Sequence, residues 1–358
     1  MIIIIIRTAF SRITNCDLTD TQWLQASLTI SVGGLGVRRV ASLAFPAFLA
    51  SAASTQSLQA TILPSHISHS DPFYQSYKNR WSTTFGPVPT GDTSGKQSAW
   101  DRPGLLAVPE SIQQSKTDPL QRAAFLAATT RHSGDWLSAL PIASCGLRLD
   151  NDAVRVAVAS RLGMALCAAH VCRCGSQVDT WGVHALVCKT APSRIIRHHA
   201  LNDIIARAFA SAKIPATKEP SGLSRGNGKR PDGVTLIPWQ RGFSLTWDVT
   251  VATTLADSYV HASAASAGAA AELAASRKQT KYATLSGAYM FQPIAVETLG
   301  PINDSAVQFL QELGRRMSSV SQDDKEGHFL FQRLSVVLQR FNAILLHGSF
   351  VVDDDPDV

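Results

Sequence analysis

Two aspartates near the middle of the chain have the spacing and the residue type that suit a metal-dependent reaction. Asp232 and Asp248 are sixteen residues apart, at one edge of residues 233–237 and inside residues 243–251. Both ranges are rich in β-branched and aromatic residues and are separated by turn residues, so the pattern predicts a β-hairpin. A turn centred on Gln240 would place the two aspartates opposite each other, with Cβ atoms roughly 4.5–5.5 Å apart. Facing like charges destabilise a sheet unless a cation lies between them, and a divalent metal ion is the simplest candidate.

Three cysteines and a histidine form a second group with metal-ligand spacing. Cys172 and Cys174 are followed by a glycine that favours a tight turn, and His184 and Cys188 are four apart, on one face of a helix. Three thiolates and one imidazole are a usual composition for a closed structural zinc site. The alternatives are buried thiols, or disulfides in an exported chain, although no export signal is recognised. Two rival ligands lie in a stretch that predicts the apolar face of a helix: Cys167 and His170.

Basic residues are concentrated around the first aspartate. The whole chain has a net charge of +6, whereas residues 189–241 hold ten Lys and Arg against three acids, an excess of seven. Such a field suits a polyanionic substrate, and a solvated basic face is the alternative. The residues predicted to contact nucleic acid are Arg194, Arg197, Arg207, Lys229 and Arg230.

Two lysines near the end of a predicted helix over residues 262–282 could complete the aspartate site. Lys278 and Lys281 are three apart and share a helix face, so one of them could project over the hairpin. A lysine there would stabilise the charge that develops when a phosphodiester is cleaved. The alternative is that these cations complement the helix dipole. The sequence does not decide between the two lysines.

The length and composition of the chain predict a globular protein. Its 358 residues are 45% hydrophobic and 7% aromatic, enough for two or three packed domains. The run Ile2–Ile6 is too short to span a bilayer and lacks the flanks of a secretion signal, so no membrane segment is predicted; it could be a strand or belong to a longer parent chain. Helical patterns occupy residues 8–60 and 105–170, whereas residues 61–104 are rich in Ser, Thr, Pro, Gln and Gly and predict an irregular linker.

The C-terminal half mixes both periodicities, which predicts an α+β fold. Residues 193–213 predict a helix with Ile195 and Ile196 among its inward residues, and a further strand is predicted over residues 289–297. Two helices are predicted over residues 303–348, followed by a short acidic tail. No internal repeat is present.

The order of these motifs resembles the C-terminal part of non-LTR retrotransposon proteins that carry a restriction-like endonuclease, and the related reverse-transcriptase-domain proteins of invertebrate genomes. The resemblance covers most of residues 8–302. The motifs that carry it are Cys172-x-Cys174, His184-x-x-x-Cys188, the basic helix, Arg230-Pro-Asp232, Asp248-Val-Thr250 and Arg277-Lys-x-x-Lys-Tyr282. Three N-terminal stretches resemble the segment after the polymerase thumb: Ser11–Asn15, Trp23–Ser27 and Gly33–Val37.

This resemblance implies a domain order and a set of catalytic residues. The implied order is a thumb-like helical remnant (1–60), a linker (61–104), a helical region (105–170), a zinc knuckle (171–190), a PD-(D/E)xK-type domain with a mixed sheet flanked by helices (191–302), and C-terminal helices with the acidic tail (303–358). Asp232 and Asp248 would hold Mg²⁺ or Mn²⁺. Thr250 stands where the ordinary motif has lysine, so Lys278 or Lys281 would take that role. Glu219 is either an additional metal or water contact or a plain surface residue.

The implied function is metal-dependent nicking of DNA, which in a parent element would prime reverse transcription. No aromatic-x-Asp-Asp sequence of a polymerase palm occurs, so polymerisation is not expected. The chain is therefore expected to be an endonuclease fragment, encoded separately or left by a truncated element. The alternatives are a non-catalytic zinc-containing nucleic-acid-binding module or an inactive remnant. Expected partners are DNA, element RNA and a separate polymerase, in the nucleus or the cytoplasm.

Overall fold

The N-terminal half of the chain is helical. The computed structural model describes residues 2–64, 71–223, 230–285 and 287–351. The first seven helices within these ranges are α1 (Ile2–Thr14), α2 (Asp20–Ala26), α3 (Val40–Ile62), α4 (Pro72–Phe85), α5 (Gln97–Ser115), α6 (Pro119–Thr129) and α7 (Asn151–Arg161).

Strands appear only after α7 in the described residues. The elements of this part are β1 (His170–Val171), β2 (Gln177–Val178), α8 (Val183–Val187), α9 (Pro192–Ser211), β3 (Ala216–Lys218), β4 (Gly233–Thr235), β5 (Leu245–Ala252), α10 (Val260–Ala265), α11 (Ala269–Lys281), β6 (Met290–Glu297), α12 (Asp304–Ser321) and α13 (Glu326–His347). The predicted α+β class is confirmed.

Four strands form a mixed sheet in the order β3-β4-β5-β6, separate from the small β1-β2 hairpin. The first two pairings are antiparallel, and β5 and β6 are parallel, with α10 and α11 in the connection between them. Gly233 pairs with Trp247, which is the register of a hairpin centred on Gln240. The predicted register is confirmed. At the turn, β4 ends two residues before the predicted bound and β5 begins two residues after it, and the Leu245 amide there donates to the Thr235 hydroxyl at 2.9 Å. The turn itself contains Arg241 and Gly242, whose φ angles are 51° and 80°.

The alternation of side chains along β5 assigns each residue to one of two faces. Trp247 and Val249 enter the main core with residues of α9, α12 and α13, whereas Ala252 packs with α11 on the opposite face. Asp248 shares the face of Ala252 because it is an even number of residues away. The buried side of α11 consists of alanines at positions 270, 271, 274 and 275. Small side chains allow the helix to lie close to the strands, which brings its C-terminal lysines near Asp248.

Helix α13 is the central helix of the core. By length and composition it could cross a membrane, but 67% of its apolar window is buried inside the protein. It packs against α7, α9 and α12, and its Leu334 and Leu338 belong to the main core. Its apolar composition is therefore explained by its neighbours in the fold.

The N-terminal half differs from the sequence analysis in two places. The isoleucine run belongs to α1, which excludes the strand that was one of its two alternatives. Residues 61–104 are not an irregular linker, because they contain α4 and the beginning of α5. Trp81 and Trp100 from these helices are each 1% exposed and their ring centroids are 5.1 Å apart. The polar composition concealed a one-sided helix, although Asp71 and Pro72 form a recognisable helix start in which the Asp71 side chain caps the first turn.

Two details of the C-terminal half also differ from the prediction. Ile195 and Ile196 of α9 are 63% and 52% exposed, so the helix turns them away from the core. The predicted helix over residues 262–282 is two helices, because the chain breaks between α10 and Gly268. Glu297 of β6 supports the new helix start, since its Oε1 accepts a hydrogen bond from the Ala271 amide at 3.0 Å. This cap comes from a distant strand and leaves no local pattern.

The buried carboxyl of Glu297 should make the stability of the fold depend on pH. The residue is fully buried, and burial raises the pKa of its carboxyl above the ordinary value of 4.5. Because the folded chain holds this proton more tightly than the unfolded chain, the free energy of unfolding should fall as pH rises from about 4.5 through the raised pKa. We expect Glu297→Gln to be more stable relative to wild type at pH 8 than at pH 5. Urea unfolding of both proteins at the two pH values checks this, and an equal difference at both would contradict it.

Candidate carboxylate site and cysteine-histidine cluster

The aspartate pair lies at the open end of the β4–β5 hairpin. Asp248 is in the middle of β5 and 2% exposed, and Asp232 directly precedes β4. The Asp232 amide donates to the Trp247 carbonyl at 2.9 Å, and its carbonyl accepts from the Glu219 amide at 3.0 Å. Backbone bonds to β5 and to Glu219 therefore hold Asp232 beside the hairpin, where its charge acts on Asp248.

Both candidate lysines reach Asp248 from the last turns of α11. Lys278 Nζ lies 2.5 Å from Asp248 Oδ1, and Lys281 Nζ lies 3.9 Å from Oδ2. Lys281 also donates to the Tyr282 hydroxyl at 2.7 Å, which in turn donates to the Arg230 carbonyl at 2.8 Å. Lys278 is thus the closer partner of Asp248, a choice that the sequence left open.

Helix α9 contributes a histidine that the sequence analysis missed. His198 Nε2 lies 2.9 Å from Asp232 Oδ2, and the Val249 amide donates to the same oxygen at 2.6 Å. One turn later, Asn202 donates to the Asp232 carbonyl at 3.3 Å and accepts from Trp247 Nε1 at 2.8 Å. The available signal was a pair of polar residues at helical spacing beside the apolar face of α9.

Burial and neighbouring charges shift the pKa values of the residues in this site. Burial, followed by repulsion from Asp232, raises the pKa of Asp248, although Lys278 acts in the opposite direction. The hydrogen bond to Asp232 raises the pKa of His198. Two carboxylates therefore face two lysines and a histidine, so the protein itself provides cations that reduce the repulsion between the aspartates.

The predicted basic contacts divide into several groups. Arg194 and Arg207 are exposed on α9. Arg230 is exposed but forms an ion pair with Glu219, whose carboxylate is therefore engaged at the surface. Lys229 lies outside the described residues. The prediction for Arg197 is wrong: it is 2% exposed, and its guanidinium donates to Asn342 and to the Leu186 carbonyl.

The predicted cysteine-histidine group assembles into one cluster. Ligand atoms of Cys172, Cys174, His184 and Cys188 all lie within 4.8 Å of one another, close enough to bind a metal ion. The Cys172 and Cys188 sulfurs are 3.9 Å apart, and Cys174 Sγ is 3.1 Å from His184 Nε2. A tight turn at Gly175, with φ of 86°, brings the first two cysteines together.

The surroundings of the cluster anchor it to the helical core. Cys172 and Cys188 are buried with Val156 of α7 and Leu346 of α13. Burial raises the pKa of the Cys172 thiol, whereas hydrogen bonds from Ser176 lower the pKa of Cys174 to about 6. A thiol with a lowered pKa is readily available as the thiolate that metals bind.

The two rival ligands lie outside this cluster. The predicted helix around them is absent: Cys167 is in a non-helical stretch and His170 begins β1. His170 instead stacks on Phe350, with ring centroids 3.9 Å apart, and its Nε2 lies 2.8 Å from the Ser349 hydroxyl. The main chain and side chain of Arg173 also contact this segment after α13, which fixes the loop of the cysteine-histidine cluster to the end of the core helix.

Comparison of the chain with protein-family models and with curated proteins finds no match.

Proposed function

We propose that this chain is a metal-dependent DNA endonuclease of the retrotransposon type, in which Asp232 and Asp248 hold Mg²⁺ or Mn²⁺. The observation that carries the proposal is the meeting of two carboxylates from a hairpin with two lysines from the following helix. The side chains of Asp232, Lys278 and Lys281 are 15%, 23% and 29% exposed, so a substrate phosphate could reach them.

Each group would have a distinct role in phosphodiester hydrolysis. A divalent cation bound by the aspartates would lower the pKa of a water molecule and neutralise phosphate charge. Lys278, held by Asp248, would direct its remaining N–H groups to a phosphate oxygen and stabilise the charge of the transition state. Arg194 and Arg207 would attract the DNA backbone, an interaction that weakens as salt is added.

The fold supports this proposal through its architecture. A mixed sheet carries the aspartates, and helices α9 and α11 pack on its two faces and bring the other polar groups to them. This arrangement agrees with what the resemblance to restriction-like endonucleases implies for residues 191–302. By the same resemblance, the product would carry a 3′-hydroxyl suited to priming, and the partners would be DNA, element RNA and a separate polymerase, in the nucleus or cytoplasm.

Zinc is the proposed occupant of the cysteine-histidine cluster. Zn–S bonds of about 2.3 Å at tetrahedral angles place two sulfurs about 3.8 Å apart. The observed separation of the Cys172 and Cys188 sulfurs, 3.9 Å, agrees with that value. Four protein ligands would leave no open coordination position, so the ion would have a structural role.

A plasmid-nicking assay with Mg²⁺ or Mn²⁺ tests the catalytic proposal and ranks the lysines. Wild type should convert supercoiled DNA to the open circular form. Because Lys278 contacts Asp248 directly and Lys281 is shared with Tyr282, we expect Lys278→Ala to lower the rate by about 100-fold. Lys281→Ala should cause a smaller loss.

If no nicking is observed, measurements of DNA binding show which alternative function holds. Lys325→Ala provides a lysine control for the nicking assay, because Lys325 is an exposed residue directly before α13. If wild type binds DNA with a steep salt dependence and no cleavage occurs with either metal, the chain is a non-catalytic binding module. One observation favours that second function: Lys278 already satisfies a buried oxygen of Asp248.

A further inference from the structure

Two donors from different elements hold one oxygen of the Asp232 carboxylate. Its Oδ2 accepts hydrogen bonds from His198 Nε2 at 2.9 Å and from the Val249 amide at 2.6 Å. Both donors reach Oδ2, so this is the oxygen that the protein holds, and Oδ1 is the candidate oxygen for a ligand.

We propose that His198 is a positioning residue, which orients the Asp232 carboxylate so that Oδ1 faces the cation. This inference rests on the proposed function, because it assumes that Asp232 binds a divalent metal. It adds a residue that neither motif nor resemblance identified.

Helix α9 is well suited to this role because it is fixed at several points. Its Leu201, Ile205 and Phe209 are at most 1% exposed within the main core. Asn202, on the same face as His198, bonds both to the Asp232 carbonyl and to the Trp247 indole. The imidazole is thus presented by a rigid element whose register against the hairpin is set by separate contacts.

A positioning role fits the geometry better than direct coordination. Among the described residues, the only group of three or more candidate ligands within 4.8 Å of one another is the cysteine-histidine cluster. His198 therefore does not form such a group with both aspartates, and its Nε2 is directed to Asp232. An ionised carboxylate only accepts hydrogen bonds, so Nε2 must carry the proton in this contact.

Partners that orient a metal ligand contribute measurably to affinity. Their loss typically costs about 10–100-fold in metal affinity or activity. Without His198, the Asp232 carboxylate would rotate more freely and would have to be ordered when the metal binds. We therefore expect His198→Ala to weaken Mn²⁺ binding by about 10-fold or more.

The test is Mn²⁺ affinity, measured by calorimetry on the full chain, for wild type and four variants. The amide nitrogen of glutamine can replace Nε2, whereas that of asparagine falls short, so His198→Gln should recover part of the affinity and His198→Asn should not. His261→Ala is the control, because His261 is an exposed histidine on α10, whereas the ring of His199 packs against that of His198 with centroids 5.5 Å apart. Melting temperatures of the metal-free proteins separate positioning from a general loss of structure.

Nicking by the same proteins distinguishes the two proposals. If wild type binds Mn²⁺ but does not nick DNA, the endonuclease proposal fails and the affinities still decide the role of His198. If wild type nicks DNA and His198→Ala binds Mn²⁺ as tightly as wild type, the positioning role is overturned and the endonuclease stands. Absence of Mn²⁺ binding by wild type overturns both. A loss with alanine that glutamine restores supports the inference.

Discussion

Removal of the metal from the cysteine-histidine cluster is expected to unfold residues 170–191 and to detach them from the core. The ligands come from a turn and a five-residue helix, which is too short to be stable alone, so the metal would hold this segment in the shape in which it packs on α7 and α13. Structural zinc contributes about 10–16 kcal/mol in small zinc-finger peptides. In this larger chain, we expect Cys172→Ser to lower the free energy of unfolding by about 5 kcal/mol. Zinc content should fall from one ion per chain to a small fraction.

Thermal unfolding with and without chelator, metal analysis and limited proteolysis test this expectation. Cys145→Ser is the matched control, because Cys145 is an exposed cysteine outside the cluster. It should retain the zinc and the melting temperature of wild type. A chelated wild type that melts unchanged and resists proteolysis at residues 170–191 would refute a structural metal at this site.

Replacement of Asp248 by asparagine is expected to abolish nicking and divalent-metal binding while the fold is retained. The carboxylate would hold the cation and Lys278 together, and metal catalysis contributes several kcal/mol to phosphoryl chemistry. A loss of about 4 kcal/mol corresponds to roughly 10³-fold in rate. The fold should tolerate the change because asparagine has the same shape and its amide oxygen can still accept the hydrogen bond from Lys278. We expect Asp232→Asn to behave similarly.

Initial nicking rates and Mn²⁺-dependent shifts in melting temperature measure these effects. Asp203→Asn is the control, since Asp203 forms a surface ion pair with Lys218 at 2.5 Å. It should nick and bind Mn²⁺ as wild type does. Equal rates for wild type and Asp248→Asn would rule out the aspartate site as the source of any cleavage.

The elements that the sequence predicted well share a strong local pattern. The hairpin register followed from β-branched runs placed symmetrically about Gln240, and it holds in the pairing of Gly233 with Trp247. The metal cluster followed from the spacing of Cys172, Cys174, His184 and Cys188, because a short loop can bring such neighbours together without long-range contacts. The prediction of an irregular linker failed because it rested on polar composition. Helix α4 buries only one face, so most of its sequence is polar.

Roles that depend on distant parts of the chain could not be predicted in this way. Arg197 and His198 are consecutive basic residues on one helix, yet one is buried against α13 and the other contacts Asp232. Their roles depend on how α9 is rotated against the sheet, which is set by the packing of Phe209 and Trp247 and not by any local signal. The cap that Glu297 provides to α11 depends in the same way on the parallel pairing of β6.

The sequence by itself determined the α+β class, the register of the hairpin beside Asp232 and the members of the cysteine-histidine cluster, because periodicity and short-range spacing specify these features. Only the tertiary structure decided that Lys278 approaches Asp248 more closely than Lys281, that His198 holds Asp232, and that Arg197 belongs to the core. The physical reason is that a side chain's charge is evident from its type, whereas its partner depends on which helix face packs against the sheet.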